Sequence, residues 1–242
     1  MIEETIRKLQ DLRLFAMIDQ LRQLIDSSRL DSLAADDLLS FLVDAEYDQR
    51  NKNRIERLLR QAGLKLPTAC IADLQFSAKR NLRKEQLEQV MNTQFLKQQK
   101  NVLISGATGV GKTYLASAIG HIACLNGYST KYLRVTKFLE FMAAEQAVGN
   151  YLKVIDKLGK VNLLILDDLG PDVMTKNQRN NFLEIIEERY MKASTVITSQ
   201  LPMEQWYAVF GESTSADAIC DRLFHNSYKI ELKGESMRKS TT

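Results

Sequence analysis

Cysteine is scarce in this sequence. Cys70, Cys124 and Cys220 are the only three among 242 residues, and none forms a Cys-x-x-Cys spacing. An odd, scattered set suits neither a disulfide framework nor a zinc site, and it predicts reduced, buried thiols. The two histidines, His121 and His225, stand far apart, which argues against a histidine metal site or a serine-type triad. No apolar run approaches the roughly 18 residues needed to span a bilayer. The opening MIEETIRKLQ is charged where a signal peptide would turn apolar, so a cytosolic protein is expected. No large excess of either charge is present, the net being +3.

The distribution of charge is less even than its sum. Residues 1–49 carry five Lys or Arg against eleven Asp or Glu, a net of −6, whereas residues 50–100 carry twelve against four, a net of +8. A polyanionic partner senses such local excess rather than the total. Leu14, Ile18, Leu21 and Ile25 recur at helical spacing, and the stretch 36–60 lacks proline and glycine, so a small all-helical domain is expected over residues 1–66. On a helical wheel Arg50, Arg54 and Arg57 share one face while Ile55, Leu58, Leu59 and Ala62 share the opposite one. One side would pack and the other would meet DNA phosphates. Residues 67–100, with Pro67 and polar runs, read as a linker.

From residue 101 onward, short aliphatic or β-branched runs alternate with helical stretches, which predicts an α/β domain with a parallel sheet covered on both faces. The expected strands are NVLIS, TKYLRV, VNLLIL, STVITS and YKIEL. Although glycine is sparse, with eleven in all, three fall in the stretch ISGATGVGKTY. Gly106, Ala107, Thr108, Gly109, Val110, Gly111, Lys112 and Thr113 fit Gly-x-x-x-x-Gly-Lys-Thr, following an apolar strand and opening the helical run KTYLASAIGHIA. Glycine lets the backbone turn over a phosphate with its N–H groups inward, and the next helix offers its positive end to the same anion. Lys112 would reach the β- and γ-phosphates of a nucleoside triphosphate, and Thr113 would bind magnesium.

A second element supports this reading. LLILDDLG, over 163–170, is an aliphatic strand ending in Asp167 and Asp168. Asp167 would hold the magnesium, and Asp168 is placed to orient or deprotonate an attacking water. STVITSQLP is a further strand; if it lies between the other two, Ser199 or Gln200 would contact the γ-phosphate or the water. Only 42 residues follow Gln200, too few for the helical lid many such ATPases carry, so an arginine from a neighbouring subunit is expected to complete the site. Arg222 in AICDRLFH and Arg238 in KGESMRKS are the candidates.

The chain resembles the IstB family of insertion-sequence ATP-binding helper proteins, relatives of the helicase loader DnaC and of the initiator DnaA within the AAA+ class. The resemblance rests on GATGVGKTYLA, LLILDDLG, TSQLP, VFGE with AICDRLFH, and GESMR, in that order over essentially the whole chain. It implies an AAA+ domain over residues 101–242 without a separate lid, using ATP and magnesium. It further implies an ATPase that binds duplex DNA with little sequence preference, forms a homo-oligomer on it with ATP, and delivers a transposase. It assigns Arg222 as the finger arginine and departs at Gln200, where asparagine is usual. By the same resemblance, the long stretch between the second and third strands makes Lys153, Lys157 and Lys160 candidate DNA contacts. A helicase loader would share this core and differ in its partner. A small-molecule kinase fits poorly with consecutive aspartates at a strand end. A DNA-binding structural protein locked by nucleotide would differ in turnover.

Overall fold

NVLIS and LLIL, among the runs expected as strands, are apolar on both sides of the pleat, which calls for a sheet covered on both faces. In the computed structural model, which describes residues 2–74, 76, 78–211 and 213–237, the chain divides into two units, Met1–Arg57 and Leu58–Thr242.

The first unit contains α1 (Ile2–Asp11), α2 (Phe15–Asp26) and most of α3 (Ala35–Ala62). Ile18, Leu21 and Leu24 are the buried residues of α2; of the four expected positions Ile18 and Leu21 are buried, whereas Leu14 and Ile25 are half-buried and Leu24 takes a place in the packed face. Ile6, Ile18 and Leu21 form a small core with Leu42 of α3 packed against it. No side chain of its own caps α2; instead Glu46 of α3 accepts the Ala16 and Met17 N–H groups at 3.0 and 3.4 Å. A carboxylate there satisfies orphan donors and complements the helix dipole.

The second unit continues with α4 (Lys84–Met91), α5 (Gln94–Lys97), β1 (Asn101–Gly106), α6 (Lys112–Leu125), β2 (Thr130–Arg134), α7 (Val135–Ala147) and α8 (Tyr151–Gly159). It ends with β3 (Leu163–Leu169), α9 (Lys176–Arg189), β4 (Ser194–Ser199), α10 (Trp206–Val209), α11 (Thr214–Phe224) and β5 (Ser227–Leu232). All five expected strands are present. They pair in parallel in the order β2-β3-β4-β1-β5, so β4 lies between the phosphate-loop strand and the aspartate strand.

Alternate strand residues enter opposite layers. Val102, Ile104, Leu163, Ile165 and Val196 pack in one layer with α6, while Leu103, Leu164, Leu166 and Ile197 pack in the other with α7, α9 and α11. Both faces of the sheet are thus covered at its centre, which is why β1 and β3 read as continuous apolar runs.

Residues 67–100 differ from the expected linker. Ile71, Leu82, Leu87, Val90 and Phe95 are buried in the α6-side layer, and the boundary between units falls at Arg57/Leu58. Leu87, Val90 and Met91 do recur at helical spacing, but the stretch is short and flanked by polar runs, so that it packs under the sheet is visible only in three dimensions. All three cysteines are free; Cys124 and Cys220 are buried as expected, whereas Cys70 is half-buried.

Candidate functional site

The carboxyl ends of β1, β3 and β4 converge on a cleft of about 800 Å³ lined by Thr108, Lys112, Thr113, Asp167, Asp168 and Gln200 among others. Ligands bind at this edge of open parallel sheets, where strand order reverses. The glycine positions follow from the path of the loop. Gly106 has φ +147°, and a Cβ there would overlap the Leu232 carbonyl of the neighbouring strand. Gly109 has φ +87° and would meet Ser236. The segment after β5 crosses the loop at this point, with the Met237 N–H donating to the Gly109 carbonyl at 3.0 Å.

Lys112 opens α6 and is 9% exposed. Its ammonium donates to the carbonyls of Gly106 at 2.6 Å and Ala107 at 2.8 Å, so the loop curls around its own lysine. Arg80 braces the loop from outside, donating to the Val110 carbonyl at 2.8 Å.

Asp167 is 3% exposed, and three hydroxyls donate to its carboxylate. Thr113 donates at 3.0 and 3.1 Å, Tyr132 at 2.5 Å and Thr198 at 2.6 Å. Burial, and then the hydrogen bond to Asp167, push the Tyr132 hydroxyl well above its ordinary pKa, so it serves as a fixed donor. A carboxylate beside a threonine hydroxyl is the hard oxygen set that magnesium takes.

Asp168 has φ +67°, a left-handed conformation that aspartate tolerates better than most residues, at a register irregularity between Leu166 and Leu169. Its N–H donates to the Thr198 hydroxyl at 2.9 Å, and its carboxylate pairs with Arg134 at 2.6 Å. Hydrogen bonding to Asp168 raises the Arg134 pKa further, so this guanidinium stays charged. The irregularity turns consecutive aspartates to different tasks: Asp167 is buried among hydroxyls, while the Asp168 side chain is 44% exposed.

The two alternatives at the end of β4 separate. Ser199 is fully buried and donates to the Leu169 carbonyl at 2.7 Å, whereas Gln200 lines the cleft and accepts from Thr108 at 3.0 Å. Arg222 lies elsewhere. Its carbonyl accepts from Asn101, the first residue of β1, at 3.3 Å, whereas the phosphate loop leaves the last. The length of β1, about 17 Å, lies between them. The Arg222 side chain pairs with Glu187 at 2.8 Å and is 28% exposed. Arg238 lies outside the described residues.

Arg50, Arg54 and Arg57 are exposed, Leu58 and Ala62 buried, as the wheel requires. Arg50 is also occupied, pairing with Glu46 at 2.7 Å and donating to the Arg13 carbonyl at 3.3 Å. Lys153 and Lys157 are exposed on α8 and Lys160 just after its end, with Lys160 paired to Asp156 at 2.7 Å.

Sequence reasoning missed Tyr132, Arg134, Thr198 and Arg80. The first three sit at strand ends now seen to flank the aspartates, and strand order was needed to find them. Arg80 showed only as one charge in a basic run.

A family model described as IstB-like ATP binding protein matches residues 7–242. The chain belongs to the IstB-like ATP-binding protein family. It is 37% identical over 235 residues to an insertion sequence ATP-binding protein of Sinorhizobium fredii, covering 97% of this chain and 94% of that one. It is 38% identical over 202 residues to the ATP-binding protein of insertion sequence IS1162 from Pseudomonas fluorescens, covering 84% and 87%. Among solved structures, the DnaC helicase loader superposes with a TM-score of 0.56 at 19% identity, over 68% of this chain and 97% of that one. The replication initiator DnaA bound to AMPPCP and single-stranded DNA gives 0.59 at 21%, over 72% of this chain and 52% of that one. At such identities the likeness is one of fold. This IstB-like chain therefore has an AAA+ phosphate-loop domain preceded by helices, and its family ligand is ATP.

Proposed function

We propose that this IstB-like protein is a magnesium-dependent ATPase that assembles on duplex DNA with ATP and helps a partner transposase in insertion-sequence transposition. The observation that carries the hydrolytic part is the meeting of Lys112, Thr113, Asp167 and Asp168 at one cleft, each with a distinct environment. The transposase rests on the insertion-sequence relatives.

The residues divide the work as follows. Loop N–H groups and the amino end of α6 receive the phosphates. Lys112 exchanges the carbonyls of Gly106 and Ala107 for phosphate oxygens. Thr113 and Asp167 would hold magnesium, which supplies charge neutralisation at the phosphates. Gln200 is placed to contact the γ-phosphate or the water. Asp168 parts from Arg134 and accepts a proton from the attacking water. Arg50, Arg54 and Arg57, with Lys153, Lys157 and Lys160, offer phosphate contacts on DNA, and none belongs to a base-reading motif, which favours little sequence preference.

ATP hydrolysis measured with and without duplex DNA tests this reading, with stimulation expected and indifference to DNA counting against it. The DnaC-like fold also suits a helicase loader. Co-purification with a transposase and not with a replicative helicase is the expected outcome.

Asp168→Asn is expected to bind ATP normally and lose turnover. Asparagine has nearly the same shape and accepts a positive φ, so the backbone is undisturbed; the proton acceptor is lost together with the charge that pairs with Arg134. General base catalysis contributes about 10²- to 10⁴-fold. Single-turnover hydrolysis at the unaltered rate would remove Asp168 from this role.

Replacing Arg50, Arg54 and Arg57 together by glutamine should weaken binding to duplexes of any sequence. The slope of log K against log salt should shrink by about 0.9 per lost phosphate contact. An unchanged slope would leave these arginines as a solvated face.

A further inference from the structure

The Arg222 side chain is folded back onto its own chain. One terminal nitrogen donates to the Ala218 carbonyl, one turn earlier on α11, at 3.0 Å, and the other meets the Glu187 carboxylate of α9 at 2.8 Å. The guanidinium also stands over the Tyr190 ring, 6.0 Å from its centre. That distance is the outer limit of a cation–π contact, so the ion pair is the stronger of the two.

The platform under this contact is fixed. Between Glu187 and Tyr190, Arg189 turns inward and is 1% exposed. It donates to the Leu158 and Val161 carbonyls at 2.6 and 2.7 Å and to the Thr195 hydroxyl at 3.1 Å. These ties fasten the end of α9 to the end of α8 and to the start of β4. A pair held from such a base loses less conformational freedom than one between mobile segments. A guanidinium whose fork is turned to Ala218 and Glu187 cannot at the same time chelate a phosphate. The carboxylate also opposes an approaching triphosphate, because like charges a few ångströms apart repel. Where Arg222 completes a neighbouring subunit's site, it must first leave Glu187, and the free energy of that release weakens assembly.

Resting on the reading of Arg222 as a neighbour's arginine, we propose that Glu187 is a positioning residue that restrains Arg222 in the lone subunit and so raises the protein concentration at which the ATPase assembles. Removing the Glu187 charge is then a gain of function. Subunits assemble and hydrolyse ATP at a concentration about fivefold lower, the equivalent of about 1 kcal/mol for a partly exposed pair. A purely structural ion pair predicts the opposite, since its loss only loosens α11 against α9.

The test compares the full-length chain with Glu187→Gln, Glu187→Ala, Arg222→Ala and the double variant Glu187→Gln/Arg222→Ala, with a duplex present throughout. ATP hydrolysis per subunit is followed across a protein dilution series, and sedimentation velocity with AMPPCP and magnesium reads assembly without turnover. Glu187→Gln should lower the half-maximal concentration about fivefold in both measurements and leave the rate at saturation unchanged. Glu187→Ala also removes the side-chain amide oxygen that still accepts from Arg222 in the glutamine variant, so its shift should be at least as large. In the double variant the glutamine should add nothing to Arg222→Ala. A half-maximal concentration that stays in place or rises, with Arg222→Ala slow, would overturn the restraint and leave the arginine in trans. A shift that persists in the double variant would overturn the route through Arg222. Rates independent of protein concentration, or Arg222→Ala as active as the unaltered chain, would overturn the trans reading and the restraint with it.

Discussion

Lys112→Ala is expected to abolish the rise in melting temperature that ATP with magnesium gives the unaltered protein. A ligand that binds only the native state stabilises it by about 2.7 kcal/mol at a hundredfold excess over its dissociation constant. For a unit the size of Leu58–Thr242 this corresponds to roughly 5 to 11 °C. Lys112 is the cationic side chain within the loop, and its ammonium is already aimed inward, 2.6 and 2.8 Å from the Gly106 and Ala107 carbonyls. Alanine removes both the charge that meets the β- and γ-phosphates and the tie that curls the loop. The variant without ligand will therefore melt somewhat lower, and the quantity to compare is the difference between scans with and without ATP. Retention of the full difference in differential scanning fluorimetry would mean that the triphosphate does not rest on this loop.

A comparably large effect is expected at a residue outside the cleft. Arg222→Ala should bind ATP normally yet hydrolyse it about 10³- to 10⁵-fold more slowly when assembled, equivalent to about 4 to 7 kcal/mol of transition-state stabilisation. Its backbone adjoins the amino end of β1, so it is turned away from its own phosphate loop and is available only to another molecule. Within the chain it pairs with Glu187 at 2.8 Å and is partly exposed. An ion pair of this kind is worth about 1 kcal/mol or less, so Glu187 can exchange for a γ-phosphate at small cost, and the variant should fold. Activity per subunit should rise steeply with protein concentration and with DNA. Mixing Arg222→Ala with Lys112→Ala should restore part of the activity, because the first supplies an intact nucleotide site and the second an intact arginine. No recovery in a pair shown to co-assemble would return Arg222 to a purely structural role.

The phosphate loop, the paired aspartates and all five strands were legible from sequence because each is a local pattern. The loop needs its glycines at fixed spacing, and a strand buried on both faces must be apolar at successive positions. The lysine and the two carboxylates stand where those patterns end, so their place at one cleft was readable too. The extent of α3 was likewise legible from a stretch without proline or glycine over 36–60, and near its end Leu58 and Ala62 are buried while Arg50, Arg54 and Arg57 are exposed.

Contacts between distant segments decided the rest. Residues 67–100 looked like a linker because polar runs surround one short helical stretch, yet Leu87, Val90 and Phe95 have no exposed surface once α4 and α5 pack under the sheet. The partners of the aspartates come from different strands: Tyr132 and Arg134 from β2, Thr198 from β4. Only the order β2-β3-β4-β1-β5 brings those ends together. Asp167 and Asp168, adjacent in sequence, were separated by a register irregularity and a positive φ at Asp168. The sequence by itself determined which side chains stand at the strand ends; the tertiary structure decided which groups hold them, because backbone pairing between strands is a long-range interaction that no local spacing encodes.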